Sequence, residues 1–315
     1  MDVEKRSAAI VGAGLIGRAW AVVFARAGWQ VRLFDAVATQ LAMARQLIAQ
    51  SLADQEEAEL LTDARGALAR IVPCNTLSEA LKDTEWVQEN LPEEVSVKRA
   101  AFAEFDLLAP SDAILASSTS AIVASQFTAD LAGRARCLVA HPVNPPHLVP
   151  VVELCGAPWT SEVTLDRARA TMESLGQVPV LIRREIEGFV LNRLQGALLT
   201  EAMRLVADGV ISPDDLDKTM RDGLGMRWSF MGPFETIELN APGGVSDYCA
   251  RYSGFYRRLA VDPPPATVWE EQSAARVSEA LGTPLTEAQR DERTAWRDRR
   301  LLALRRHKRD SETKS

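Results

Sequence analysis

Short apolar runs bounded by glycine, proline or polar residues recur at 8–11, 30–34, 70–73, 86–89, 113–116, 136–140, 149–154 and 178–182. Runs of that length read as strands. Between them apolar residues repeat every three or four positions, the spacing of helices packed on a sheet. The pattern predicts two helices over 39–68, joined or kinked near Asp54, a helical turn at 78–81, a helix carrying Val97, Ala101, Phe102 and Phe105, and one over 162–175 closed by Gly176. After residue 185 the strand runs stop and long helical periodicity takes over. Residues 189–207 are apolar on nearly all sides, which predicts a buried helix that also meets a second subunit. Ser212-Pro213-Asp214-Asp215 has the hydroxyl, proline and acids of a helix start, with an end expected at Gly223 and a glycine-rich aromatic loop over 223–234. The basic run 293–309 reads as a surface helix with a frayed tail. The fold class is therefore α/β: a Rossmann-type doubly wound sheet in residues 1–185, followed by a smaller all-α domain in 186–315.

The first strand leads into Gly12-Ala13-Gly14-Leu15-Ile16-Gly17 and then into a helical pattern, the strand, turn and helix of a dinucleotide site. Gly12 permits the turn, Gly14 lets backbone approach a diphosphate, and Gly17 lets the helix pack on the strand. The second strand ends in Asp35, with no basic side chain in the Ala36-Val37-Ala38 that follows. A carboxylate there accepts hydrogen bonds from a ribose diol and repels a 2′-phosphate, so the cofactor is expected to be NAD rather than NADP. Glu93 and Lys98 follow the fourth strand, where an open sheet binds ligands; they read equally as cofactor-site residues and as ordinary first-turn helix charges.

The 315 residues suffice for two domains, and a net charge of -7 argues against a nucleic-acid surface. Cys74, Cys137, Cys155 and Cys249 form no C-x-x-C pair, which suits reduced thiols rather than a disulfide frame or zinc. The first residues lack the apolar core of a signal peptide, and no apolar run approaches the roughly 20 residues that span a bilayer. A cytoplasmic protein without membrane partner is expected.

Of the three histidines, His307 lies in the tail and His147 has no distinctive setting; a metal site would want more ligands. His141 follows a strand and opens His-Pro-Val-Asn-Pro-Pro, whose prolines hold it still. Glu153 stands on the next strand among apolar neighbours, where a carboxylate needs a partner. An imidazole backed by a carboxylate can take and return the proton of an alcohol. Beside NAD that equipment oxidises a secondary alcohol. Ser120, at a strand end, and Asn192, on the first long helix, are candidate donors to the developing oxyanion.

Taken together, the glycine fingerprint, Ser-Ser-Thr-Ser at 117–120, the His-Pro-Val-Asn-Pro-Pro run, Val-Glu-Leu at 152–154 and Gly-Phe-Val-Leu-Asn-Arg-Leu at 188–194 resemble the L-3-hydroxyacyl-CoA dehydrogenase superfamily. Gly-Leu-Ile-Gly-Arg-Ala-Trp and Gly-Leu-Gly-Met-Arg-Trp carry a closer likeness to its lambda-crystallin group, whose enzymatic member is L-gulonate 3-dehydrogenase. The resemblance runs from about 7 to 300. It implies Ser120, His141, Glu153 and Asn192 as the catalytic quartet; NAD contacts at Leu15, Ile16, Asp35, Glu93 and Lys98; and a homodimer through the helical domain. Acyl-CoA members carry a basic hairpin for the CoA phosphates, whereas 50–66 is acidic here. A small hydroxy acid, L-gulonate first, is expected, with Asn144 as a further contact and Arg227 or Arg193 on its carboxylate. The alternatives are a 3-hydroxyacyl-CoA or carnitine dehydrogenase and, in another class, a crystallin-like structural protein that keeps its NAD site.

Overall fold

In the computed structural model, which describes residues 6–312, every apolar run becomes a strand: β1 (Ser7–Val11), β2 (Gln30–Phe34), β3 (Ile71–Pro73), β4 (Trp86–Glu89), β5 (Ile114–Ser117), β6 (Cys137–Pro142), β7 (Val151–Gly156) and β8 (Val178–Ile182). β7 starts later than the pattern suggests because Pro150 has no N–H to give the ladder. The strands form one sheet in the order β3-β2-β1-β4-β5-β6-β7-β8, with β6 and β7 antiparallel and the other neighbours parallel. The order reverses between β1 and β4, so their carboxyl ends open the crevice in which such sheets take ligands.

Seven helices connect these strands: α1 (Leu15–Arg26), α2 (Ala38–Glu57), α3 (Ala64–Ala69), α4 (Leu77–Leu81), α5 (Val95–Leu108), α6 (Ser125–Thr128) and α7 (Glu162–Ser174). Alternate residues of β1 point to opposite faces. Ala8 and Ile10 join Trp20, Phe24, Ile48 and Trp86 in one core cluster, and Ala9 and Val11 join Phe102, Phe105 and Phe127 in the other. Each such fully buried large side chain contributes roughly 2–3 kcal/mol. The break between α2 and α3 comes after Glu57, not at Asp54: Glu59 takes a left-handed backbone (φ 59°), and Asp63 then caps α3 by accepting from the Gly66 amide.

Helix α8 (Leu191–Ala207) begins at the end of this unit. A second unit spans Arg193–Arg290 and holds α9 (Pro213–Lys218), α10 (Gly225–Trp228), α11 (Pro233–Leu239), α12 (Gly244–Ala260) and α13 (Glu271–Leu281). Two expectations change here. No side chain of α8 is fully buried within the chain; its apolar positions are partly covered or, like Leu194, exposed. The helix from Ser212 does not stop at Gly223 either. A wide turn over Thr219–Leu224 carries it into α10, and Gly225 fits because a Cβ there would stand 2.7 Å from the Met220 carbonyl.

The final helix, α14 (Glu287–Glu312), is continuous rather than frayed. From Asp291 onward it belongs to the first unit, although the sequence pattern placed all of 186–315 in the helical domain. Leu302 is buried, Arg305 donates to the His147 carbonyl, and Arg306 and Arg309 bind the Glu59 carboxylate and carbonyl. Arginines meeting acceptors on the first unit, not an apolar stripe alone, hold this segment there.

Candidate active site

The glycine turn is shaped by close contacts. Gly12 has φ 93° and a Cβ there would lie 2.6 Å from the Asn90 carbonyl oxygen; one on Gly17 would lie 1.8 Å from the Gly12 oxygen. Around Gly14 there is open space. The first amides of α1 have no partner inside the helix, and Gly14 has no side chain to cap them, so the N–H groups from Leu15 and Ile16 onward suit a diphosphate. At the end of β2, Asp35 accepts from the Ala13 amide through Oδ2 (2.7 Å) and from the Val37 amide through Oδ1 (2.9 Å). That fixes the carboxylate beside the turn and leaves lone pairs for a ribose diol. These features fit NAD.

At the end of β4, Glu89 is fully buried and pairs with the equally buried Lys98 ammonium at 3.0 Å. Lys98 also reaches Glu93 at 3.4 Å. Glu93 in turn accepts from the Ser120 and Ala121 amides and from Thr119 Oγ1 through one oxygen. Burial alone would raise the Glu93 pKa, but the Thr119 hydrogen bond, Lys98 and the two amides hold it below the ordinary carboxylate value. Lys98 thus sits under the Ser120 turn and braces it through Glu93.

His141 and Glu153 lie opposite each other on β6 and β7, and Nδ1 is 2.8 Å from Glu153 Oε2. The other oxygen, Oε1, accepts from the Val190 and Leu191 amides at 2.9 Å each. Desolvation opposes ionisation of Glu153; the His141 contact and these amides outweigh it and keep its pKa below the usual value. An ionised Glu153 keeps the proton on Nδ1 and leaves Nε2 free to accept one. Asn192 follows in α8 and donates through Nδ2 to the Ser120 carbonyl at 2.8 Å. Hydrogen bonds therefore join Ser120, Asn192 and Glu93 at one turn, and Glu153 joins His141 to the start of the helix bearing Asn192.

Asn144 is exposed in the loop after β6, and Arg227 is exposed on α10 within the second unit. His147 is more distinctive than its sequence suggests. Its carbonyl accepts from Arg26 (2.7 Å) and Arg305 (2.8 Å), and burial, then Arg26, Arg305 and Arg297, lower its pKa to about 4. Among the described residues no cluster of histidine, cysteine and acidic side chains could hold a metal, and no helix is long and apolar enough to cross a membrane.

The NAD binding domain of 3-hydroxyacyl-CoA dehydrogenase matches residues 7–186, and the C-terminal domain of the same enzyme matches 188–276. The chain belongs to the 3-hydroxyacyl-CoA dehydrogenase family. It is 44% identical over 301 residues to the lambda-crystallin homolog of Bos taurus, covering 94% of each chain. It is 38% identical over 248 residues to an L-carnitine dehydrogenase/betainyl-CoA thioesterase of Rhizobium sp, covering 78% of this chain and 49% of that one. A solved NAD+-dependent dismutase, 5-formyl-3-hydroxy-2-methylpyridine-4-carboxylic acid 5-dehydrogenase, superposes with a TM-score of 0.82 at 30% identity, covering 96% and 98% of the two chains.

As a member of the 3-hydroxyacyl-CoA dehydrogenase family the protein is an NAD-dependent hydroxy acid dehydrogenase. Two buried residues near the candidate quartet take on a definite role only in the fold. The strand-end position put residues 89–98 at the cofactor edge, and there Glu89 holds Lys98. Phe189 packs against His141 with ring centroids 5.5 Å apart and the ring planes tilted by 35°. It is fully buried at φ 50°, a strained position for a bulky side chain that no sequence signal marks.

Proposed function

We propose that the protein oxidises the 3-hydroxyl of a small hydroxy acid with NAD, and that the acid is L-gulonate, giving 3-dehydro-L-gulonate. The observation that carries this reading is the His141–Glu153 pair: Nε2 of His141 takes the hydroxyl proton while the ionised carboxylate steadies the imidazolium. NAD, when bound, supplies the acceptor for the hydride. Ser120 offers its hydroxyl to the substrate oxygen, and Asn192 has a second Nδ2 hydrogen beyond the one spent on Ser120. Gly12, Gly14, Leu15, Ile16 and Gly17 would hold the diphosphate and Asp35 the ribose, with Glu93 and Lys98 shaping the nicotinamide end. Asn144 and Arg227 are further candidates for the substrate.

A small acid is favoured over a CoA ester because the region around α2 and α3 carries Asp54, Glu56, Glu57 and Glu59. Glu59 is engaged by Arg306 and Arg309 of α14, which draws those two cations away from a polyanion. Steady-state assays of L-gulonate, 3-hydroxybutyryl-CoA and L-carnitine, each with NAD and NADP, test the reading. Turnover of gulonate with NAD is expected, and activity confined to the CoA ester or carnitine overturns it. Leu194, Phe234 and Leu239 stand 66%, 76% and 73% exposed, which supports a homodimer formed through the second unit. Light scattering on the eluting protein would show one chain per particle if that is wrong.

A further inference from the structure

A cleft of about 960 Å³ in the first unit is walled by the start of α1, by α2, by the loop after β6 and by α14. Leu15, of the cofactor turn, and Pro145, of the loop that follows His141, both line it. The cleft therefore runs from the glycine turn to the loop that follows β6.

Its cations are of two kinds. Arg297 pairs with Asp298 at 2.7 Å, Arg306 pairs with Glu59 at 3.0 Å, and Arg299 is exposed. Arg18, immediately after Gly17, is partly buried, and its guanidinium has no hydrogen bond or ion pair among the described residues. Asp54 and Glu57 line the same cleft without reaching it. Burial draws the Arg18 pKa below its ordinary value. A guanidinium drawn out of water without a counter-charge is unfavourable and is relieved by a ligand that brings the anion.

We propose that Arg18 binds the carboxylate of the substrate acid and so sets the preference for small monocarboxylates. The inference rests on the hydroxy-acid reading above and adds an anchor within the first unit. The planar guanidinium matches a carboxylate with two parallel hydrogen bonds. Arg18 is the partly buried cation of this cleft without a side-chain partner among the described residues, whereas Arg299 stands in solvent, and the acids Asp54, Glu57, Asp291 and Asp298 around it oppose a chain of phosphates.

Binding of acetoacetate, and of uncharged acetoacetamide, to the NAD-loaded protein by calorimetry tests this without turnover. Arg18→Met is expected to weaken acetoacetate on the order of 10- to 100-fold, to leave acetoacetamide unchanged and to hold NAD affinity within about twofold. Arg18→Lys, which keeps the charge, should restore part of the loss. Unaltered acetoacetate binding in Arg18→Met, a loss that falls on NAD instead, or a parallel Arg227→Ala variant that alone accounts for the carboxylate affinity would each overturn the assignment. A wild-type protein that turns over no hydroxy acid yet binds acetoacetate through Arg18 keeps the anchor and defeats only the reading on which it was built.

Discussion

Glu153 holds His141 with one carboxylate oxygen, 2.8 Å from Nδ1, while its other oxygen receives the two amides that begin α8. One buried acid thus fixes both the imidazole tautomer and the helix that carries Asn192. Glu153→Gln keeps an acceptor for the amides but removes the charge that steadies the imidazolium. Its kcat should fall on the order of 10²- to 10⁴-fold with a smaller change in KM. His141→Asn should lose at least as much. Parent-level NAD reduction in either variant, in steady-state assays, would remove the pair from the chemistry.

His147 makes stability depend on pH in a window of its own. Its folded pKa of about 4 lies below the ordinary 6.5, so between these values the unfolded chain binds a proton that the folded one refuses. The stability tied to a neutral His147 is fully present above pH 6.5, and is lost as pH falls toward 4. Glu153 and Glu93, whose pKa values are also depressed, add a loss that begins only below the ordinary carboxylate value of 4.5. Urea unfolding from pH 8 down to about 2 should show both phases, and His147→Asn should flatten the upper one while sparing the lower.

The sheet, its order of strands and helices, and the meeting of His141 with Glu153 were legible because each rests on local pattern. Period and punctuation mark strands, a carboxylate in an apolar strand demands a partner, and adjacent strands bring the two together. What stayed hidden depends on contacts far apart in sequence. Nothing near Arg305 says that its acceptor is the carbonyl of His147, so α14 read as a frayed surface helix. The stripe of α8 looks the same whether its own chain covers it or leaves it open. Lys98 read equally as a surface charge because its burial depends on Glu89, whose depth in the sheet only the fold reveals.

That Lys98–Glu89 pair predicts an asymmetry in stability. The side chains are 1% and 0% exposed, so Lys98→Met strands a buried carboxylate and should cost about 3–5 kcal/mol. Adding Glu89→Gln removes the stranded charge, and the double variant should be more stable than Lys98→Met alone. Urea denaturation of the three variants measures the coupling. Additive losses would mean that the two groups do not depend on each other.

Asp35 decides between the two nicotinamide cofactors by charge and by geometry, and the two can be separated. Its oxygens already hold the Ala13 and Val37 amides, so Asp35→Ala loosens the glycine turn and also deletes the diol acceptor. NAD efficiency should fall on the order of 10- to 100-fold. Asp35→Asn keeps one acceptor for the turn and removes only the negative charge that repels a 2′-phosphate. It should therefore retain more activity with NAD than the alanine variant while gaining with NADP. The ratio of kcat/KM for the two cofactors should shrink on the order of 10²-fold in Asp35→Asn. An unchanged ratio would show that the strand-end carboxylate does not face the ribose.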